Sequence, residues 1–346
     1  MLLTERKPTR VAAYWLWQPV RWLLGGLWFL LRAAIVAWAS LAIYYSNLPW
    51  TWLRLVLAAG FMAFGAWALW RSRTRRALLA FAGVYLGVVV WWAFIRPSHH
   101  RPWRPEVAVM PRVSIDGDRV RIAGVRNFEY RGTYDFTPRY EAREVSLSSL
   151  TSIDFFISYW MQGPVGHTFL SFNFSNAPPV CISIETRPEV GEGFDPLASL
   201  FKQFELIYVV GDERDLVRVR TNFRRDDVYL YHIRTSAENA RRLFLIYLDR
   251  INELYDQPEF YHLLSNSCTI NIVRYARAVG KPPGFDIRHF LNGLIDSYLY
   301  STGAIDTTLP FAELRRRSRI NDTALAADNA PDFSERIRAA VPSPGE

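Results

Sequence analysis

Three apolar runs in the first hundred residues restrict this chain more than any other feature. They cover about 22–45, 51–70 and 77–95. Each is close to the roughly 20 residues that a helix needs to cross the hydrocarbon of a bilayer. The first contains Arg32, which must either snorkel or face another helix, and the second contains Arg54 near its start, within reach of the interface. Between the second and third runs lies Arg71-Ser-Arg-Thr-Arg-Arg76, four arginines in six residues. Positively charged loops of this kind stay in the cytoplasm. The basic N-terminus, with Arg6, Lys7, Arg10 and Arg21, belongs on the same side. Three spans then carry everything after Arg96 to the opposite face. Trp15, Trp17 and Trp22 suit the membrane interface. Ala37-Trp-Ala39 loosely imitates a signal-peptide cleavage site, but the two apolar runs after it favour an uncleaved anchor.

Charge divides the chain at the same place. Residues 1–103 hold 12 Arg/Lys against one acid, Glu5, whereas the remainder is acidic by 3, which gives the overall +8. Twelve of the 13 tryptophans lie in that basic part. The basic character is therefore that of a membrane segment, and it is no argument for a nucleic-acid partner. Two cysteines, Cys181 and Cys268, exclude a disulfide-rich framework and leave one bridge as the most the chain can form.

Residues 98–111 are expected to be a Pro- and His-containing linker. His99 and His100 lack the cysteines or carboxylates that would complete a metal site, so no metal or cofactor is expected. A mixed α+β domain is expected over 112–305. Val113–Ala123 turns over Asp116-Gly117 as a hairpin. Ser152–Trp160 is expected as a buried strand. Gly166–Phe174 alternates, with His167, Phe169 and Ser171 on one face, and Val180–Thr186 is its neighbour. A short helix is expected over Leu197–Leu206, and strands over Leu216–Thr221 and Val228–Ile233. Thr235 and Glu238 form a capping box for a helix reaching Tyr255, with Leu243, Tyr247, Ile251 and Leu254 as its apolar stripe. A helix begins at Cys268, turns its apolar face through Ile270, Val273 and Ala276, and stops at Gly280 before Pro282 and Pro283. Another runs from Asp286 to Tyr300. The tail, 306–346, is expected to be loose beyond Asn321.

The chemistry centres on Ser265-Asn-Ser-Cys-Thr269. Asn266 and Ser267 are cap-forming residues, so Cys268 falls in the first turn of its helix, where the dipole favours thiolate. A buried structural cysteine is the rival reading. A nucleophile needs a base, and the domain offers His167, His232, His262 and His289. His232 lies mid-strand and reads as structural. His167 starts a strand after Gly163-Pro-Val-Gly166, the position from which a scaffold presents functional groups.

Five blocks in order carry a resemblance: Gly-His-Thr-Phe-Leu-Ser-Phe (166–172), Ile-Glu-Thr-Arg (184–187), Gly-Asp-Glu-Arg-Asp-Leu-Val-Arg-Val-Arg-Thr-Asn (211–222), Val-Tyr-Leu-Tyr (228–231) and Asn-Ser-Cys-Thr (266–269). From about Val107 to Tyr300 the chain resembles the family defined by the N-terminal periplasmic domain of the Lnb lipoprotein acyltransferases. The resemblance implies a permuted papain-like fold, with the histidine strand first and the cysteine helix last. It makes Cys268 the nucleophile, His167 the base and Glu185 the group orienting the base, with Asn266 and Ser183 as alternatives. It implies acyl transfer on a membrane lipid or lipoprotein, in a domain held on the periplasmic side of a bacterial inner membrane. The departure is that the spans here precede the domain, whereas the named transferases carry membrane helices after theirs. A cysteine amidase or peptidase of cell-wall peptides and a non-enzymatic anchored scaffold are the alternatives.

The arginine asymmetry predicts that topology reporters fused after Arg76 and after Arg104 respond oppositely. Identical responses at the two points would remove the three-span arrangement.

Overall fold

The computed structural model describes residues 10–72, 74–161, 163–280 and 284–342. Glu5, Arg6, Lys7, Arg73, Pro282 and Pro283, and the side chains of Arg10, Trp15 and Trp17, lie outside the described residues. The chain divides into two compact units, residues 1–96 with 201–203, and residues 97–200 with 204–346.

The first unit is helical. Helix α1 is Arg10–Tyr44, α2 is Thr51–Ala66 continued by a π-helical turn at Trp67–Ser72, and α3 is Arg75–Phe94. Gln18–Tyr44, Thr51–Ser72 and Arg75–Phe94 are long and apolar enough to cross a membrane. Thr74 starts α3 by accepting the Ala77 N–H. Arg32 resolves its two options by facing another helix, donating to the Leu69 carbonyl at 2.7 Å while its guanidinium lies over Trp28. That carbonyl belongs to the π-helical turn, where i→i+5 bonding departs from the regular α-helical ladder. At Gly65 a Cβ would come within 2.8 Å of Val36, so the glycine allows α1 and α2 to approach closely.

The second unit is a sheet with helices on both faces. Its strands are β1 (Arg112–Asp116), β2 (Arg119–Arg126), β3 (Glu129–Tyr130), β4 (Phe136–Thr137), β5 (Tyr140–Ser146), β6 (Leu150–Tyr159), β7 (His167–Phe174), β8 (Val180–Arg187), β9 (Glu205–Gly211) and β10 (Asp227–His232). Among the described residues, the main sheet runs β1-β2-β9-β8-β7-β6-β10, with β5 also paired to β2 and β3–β4 as a separate ribbon. Neighbours are antiparallel except β2 and β9, which meet in parallel at Arg126 and Gly211. The expected β1–β2 hairpin forms, with Gly117 at φ +58° in its turn.

The helices are α4 (Glu213–Leu216), α5 (Ala237–Asp256), α6 (Cys268–Val279), α7 (Ile295–Ser301), α8 (Phe311–Ser318), α9 (Asn321–Ala327) and α10 (Phe333–Arg336). Helices α5 and α6 cover one face, where Phe172 meets Phe244 and Tyr247 and Tyr208 meets Tyr247. The other face buries Phe156, Phe169, Cys181, Ile207 and Val209 against Leu216, Val217, Ala324, Phe333 and Ile337. Both cysteines are buried and unbridged.

Several expectations change. Glu205–Gly211 is a strand and not the end of a helix; all seven residues are buried, so neither face shows polar alternation. Over Leu197–Leu206 the helix shrinks to a 3-10 turn at Ala198–Leu200. Leu216–Thr221 is not a strand: it holds the end of α4 and the start of a π-helix, Val219–Arg224. Helix α5 is capped by Ser236, one residue later than the Thr235 box, and keeps the expected stripe. Helix α6 starts at Cys268 and ends at Gly280 as expected, but buries Cys268, Asn271, Ile272 and Tyr275 in place of Ile270, Val273 and Ala276. The Asp286–Tyr300 stretch is not one helix: it holds 3-10 turns at Ile287–His289 and Asn292–Leu294 before α7. The 98–111 stretch is no free linker, since Val107 joins the core and Arg101 pairs with Glu189 and Glu205. The 306–346 tail is packed through its described part, because α9 and α10 supply the second cover of the sheet.

That tail carries Arg338, which pairs with Asp154 at 2.8 Å and Glu213 at 2.6 Å, both carboxylates fully buried. Removing one partner of a buried pair costs about 3–5 kcal/mol, because the other charges stay behind. Arg338→Ala is therefore expected to lower the melting temperature of the full-length protein in detergent by about 10 °C. An unchanged melting temperature would mean that the tail does not hold the sheet.

Candidate active site

Helix α6 begins where strand β7 begins, and this brings Cys268 and His167 to the wall of one cavity of about 420 Å³. Thr269, next to the cysteine, shares a hydrogen bond of 2.8 Å with Thr168, next to the histidine. The strand and helix are thereby locked in register at their functional ends. His167 is half-buried, stacked on Phe169 with ring centroids 5.8 Å apart.

The loop before His167 is held by the 3-10 turn that contains Asn292 and Gly293. Asn292 donates Nδ2 to the Gly166 carbonyl at 2.6 Å and accepts the Gly166 N–H at Oδ1, 2.9 Å. Gly293 donates its N–H to the Pro164 carbonyl at 2.9 Å. A Cβ on Gly293 would lie 2.5 Å from the Pro164 backbone, so only glycine permits this approach. These contacts hold Asn292–Leu294 as a 3-10 turn ahead of α7 in place of a continuous α-helix. Asn292 Nδ2 also lies 3.8 Å from the Cys268 sulfur.

Behind His167 runs a chain of polar groups on the same face of the sheet. His167 Nε2 is 2.7 Å from Ser183 Oγ and 3.7 Å from Glu185 Oε1. The Ser183 hydroxyl also helps to hold the Glu185 carboxyl down. Glu185 accepts from Arg220 Nη2 at 2.7 Å, and Arg220 lies over the Phe169 ring at 4.8 Å. With the Glu185 carboxylate, which only accepts, also 3.7 Å from Nε2, that nitrogen is the one assigned the proton, and Ser183 Oγ accepts from it. That direction leaves Nδ1 as the imidazole atom free to take a proton from the thiol.

The electrostatics follow from these neighbours. Burial alone would raise the Cys268 thiol, but the hydrogen bond and charge of His167, with help from Thr168, outweigh it and bring the pKa down to about 6. Burial would also raise Glu185, yet Arg220, then His167 and Arg126, hold its carboxyl well below the usual range. At Cys181 burial, with the charge of Glu213, outweighs Arg220 and Arg338 and pushes the thiol well up. The two buried thiols are therefore shifted in opposite directions.

Of the residues singled out in the sequence, Cys268, His167, Glu185 and Ser183 come together. Asn266 does not join them: its amide donates to Glu259 and the Phe260 carbonyl and accepts from Asn271, which shapes the loop leading into α6. His232 is bonded to Asp154 at 2.6 Å, His262 sits in its own turn with Ser265, and His289 packs on Tyr298. Sequence reasoning missed Asn292 and Arg220. The Asn-Gly pair inside a presumed helix was a usable signal for the first. Nothing local marks Arg220, whose role arises only from packing against β7 and β8.

Residues 136–293 match the family described as the Lnb N-terminal periplasmic domain, and this domain of the chain belongs to that family. No curated protein and no solved structure matched the chain.

The lowered thiol predicts a specific pH profile. Alkylation of Cys268 by iodoacetamide in the full-length protein is expected to rise through about pH 6 and level off near neutrality. In His167→Ala the midpoint is expected to move up towards the roughly 8.5 of a free cysteine. An unshifted profile would show that the imidazole does not act on the sulfur.

Proposed function

We propose that the domain is a thiol acyltransferase or hydrolase, working through Cys268 and His167 on acyl esters of membrane lipid or lipoprotein. The observation that carries this reading is the site itself: a thiol brought down to about 6 at the first turn of α6, facing an imidazole whose other nitrogen is already engaged. Membership of the Lnb N-terminal domain family supports the same chemistry. So does the order of parts, histidine strand before cysteine helix, which fits a permuted papain-like fold. The three apolar helices and the arginine-rich loop favour an inner-membrane anchor with the domain on the periplasmic side. Substrate and site would then share one membrane plane.

The reaction divides into two steps. The Cys268 thiolate, its proton held on His167, attacks an ester carbonyl. A carbon–sulfur bond forms while the carbonyl π electrons move to oxygen. Backbone N–H groups at the start of α6 and the Asn292 amide, 3.8 Å from the sulfur, would hold that oxyanion. As it collapses, the ester carbon–oxygen bond breaks and His167 returns its proton to the departing alcohol. The S-acyl enzyme then meets an amine or water. His167 takes the proton of the incoming group, the carbon–sulfur bond breaks, and the thiolate is regenerated. Glu185 and Ser183 act as positioning residues, keeping Nε2 protonated and the ring aligned.

The test is an intact-mass search for an acyl adduct after incubation with phospholipid or a diacylated lipopeptide. Wild type is expected to gain one acyl mass at Cys268, and Cys268→Ala none. His167→Ala should slow adduct formation by about 10²–10⁴-fold, the usual worth of general acid–base catalysis. Turnover confined to peptide substrates would leave the dyad in place and replace the acyltransferase assignment by an amidase. A Cys268→Ala protein that accumulates normally and still complements a null strain would end the enzymatic reading.

A further inference from the structure

Four arginines line the cavity that holds Cys268: Arg104, Arg126, Arg220 and Arg224. Three are neutralised, Arg104 by Glu106 at 2.7 Å, Arg126 by Asp215 at 2.8 Å and Arg220 by Glu185 at 2.7 Å. Arg224 is different. Among the described residues its guanidinium has no hydrogen-bond or ion-pair partner, and its side chain is exposed on the cavity wall. Asp226, the next acid along the chain, is buried and accepts instead from Ser158 Oγ at 2.8 Å.

The backbone explains why Arg224 stands there. Val219–Arg224 is π-helical, with the N–H of residue 225 bonded to the Arg220 carbonyl. In a helix closed by i→i+5 bonds, residues four apart lie almost one above the other. Arg224 is thus set over Arg220 on the cavity side, and Arg225 ends the turn in the left-handed region at φ +59°. Desolvation, and then the charge of Arg220, push the Arg224 pKa down and outweigh the pull of Glu185 and Asp226, neither of which is a counter-charge in contact with it. An anion entering the cavity would supply one, and the guanidinium fork matches phosphate or carboxylate. The rest of the lining selects between them. Trp160, Val165, Ile184, Phe194 and Leu263 are apolar, and Trp160 meets Phe194 edge to face with both rings exposed at about half their surface, 44% and 48%.

We infer that Arg224 binds the phosphodiester of a glycerophospholipid whose acyl ester is presented to Cys268. This rests on the acyl-transfer reading of the same site and specifies the class of acyl donor. The chain steps of the reaction are unchanged; Arg224 fixes the headgroup so that the glycerol ester reaches the sulfur, and the departing alcohol is the lysophospholipid.

The experiment measures protection of Cys268 from iodoacetamide in the full-length protein in uncharged detergent. Competitors are short-chain phosphatidylglycerol, the matching uncharged diacylglycerol, inorganic phosphate, and a short peptide with a free C-terminal carboxylate. Phosphatidylglycerol is expected to protect at about tenfold lower concentration than diacylglycerol, the scale of one charge-assisted hydrogen bond. Arg224→Gln should erase that difference. Equal protection by both lipids, or a difference that survives Arg224→Gln, would overturn the inference. Protection by inorganic phosphate that acyl chains do not improve would reassign the site to free phosphate. Stronger protection by the peptide would reassign it to a carboxylate. Native mass spectrometry provides a readout independent of the thiol. Cys268→Ala should keep the preference for phospholipid over diacylglycerol and Arg224→Gln should lose it. Loss of the preference in neither variant overturns the subsite. Retention with an unreactive Cys268 would instead count against the acyl-transfer reading alone.

Discussion

A sheet covered on both faces leaves no water for the charges its strands and covering loops carry, and pairing those charges is the constraint on which the domain depends. Arg126 meets Asp215, Arg143 meets Asp212, Arg338 meets Asp154 and Glu213, and Arg220 meets Glu185. An isolated buried charge is far more costly than a paired one, so each ion pair also fixes which segments can lie together. Arg338 ties the end of the chain to β6 and α4. Arg126 and Asp215 hold the corner at which β2 meets the end of β9, with Tyr130 and the Phe128 N–H completing the carboxylate's partners.

The candidate site is one of these pairings put to use. Arg220 keeps Glu185 ionised, Glu185 orients Ser183, and Ser183 holds Nε2 of His167. The polarisation travels along one face of β7 and β8 and ends at the imidazole. Cys268 approaches from the helix on the opposite face, reaching the histidine only because both elements start at the same edge. The hydrogen bond and charge of His167 draw the thiol pKa down in a setting where burial alone would have raised it. Arg224, on the same wall but unpaired, is the one lining arginine among the described residues whose charge is left for a ligand.

Precision at the site comes from the loop on the far side. Asn292 bonds both polar groups of Gly166, and Gly293 allows the backbones to touch. This clamp interrupts a segment with ample helical character and so opposes local propensity. Such conflicts between local preference and observed structure are expected where function sets the geometry.

The sequence by itself determined the membrane-spanning candidates, the hairpin at Asp116-Gly117, the long amphipathic helix, and the start and stop of the cysteine helix, whereas His167 as the base for Cys268 came from the family resemblance. The features read from the residues are local: apolar length, a cap, a turn glycine. Tertiary structure alone decided the rest. Glu205–Gly211 is central and buried on every side, so its pattern carried no period from which to read a strand. The tail past Asn321 looks polar and loose, yet its few apolar residues recur at helical spacing and close the second face of the sheet. Arg220 and Asn292 entered the site from elements remote in sequence, through contacts that no local pattern encodes. The face of α6 followed its docking against β7, since Thr269 and Asn271 found partners inside and the apolar Ile270 and Val273 were left at the margin. Propensity is a property of neighbours along the chain, whereas burial and charge pairing are properties of neighbours in space.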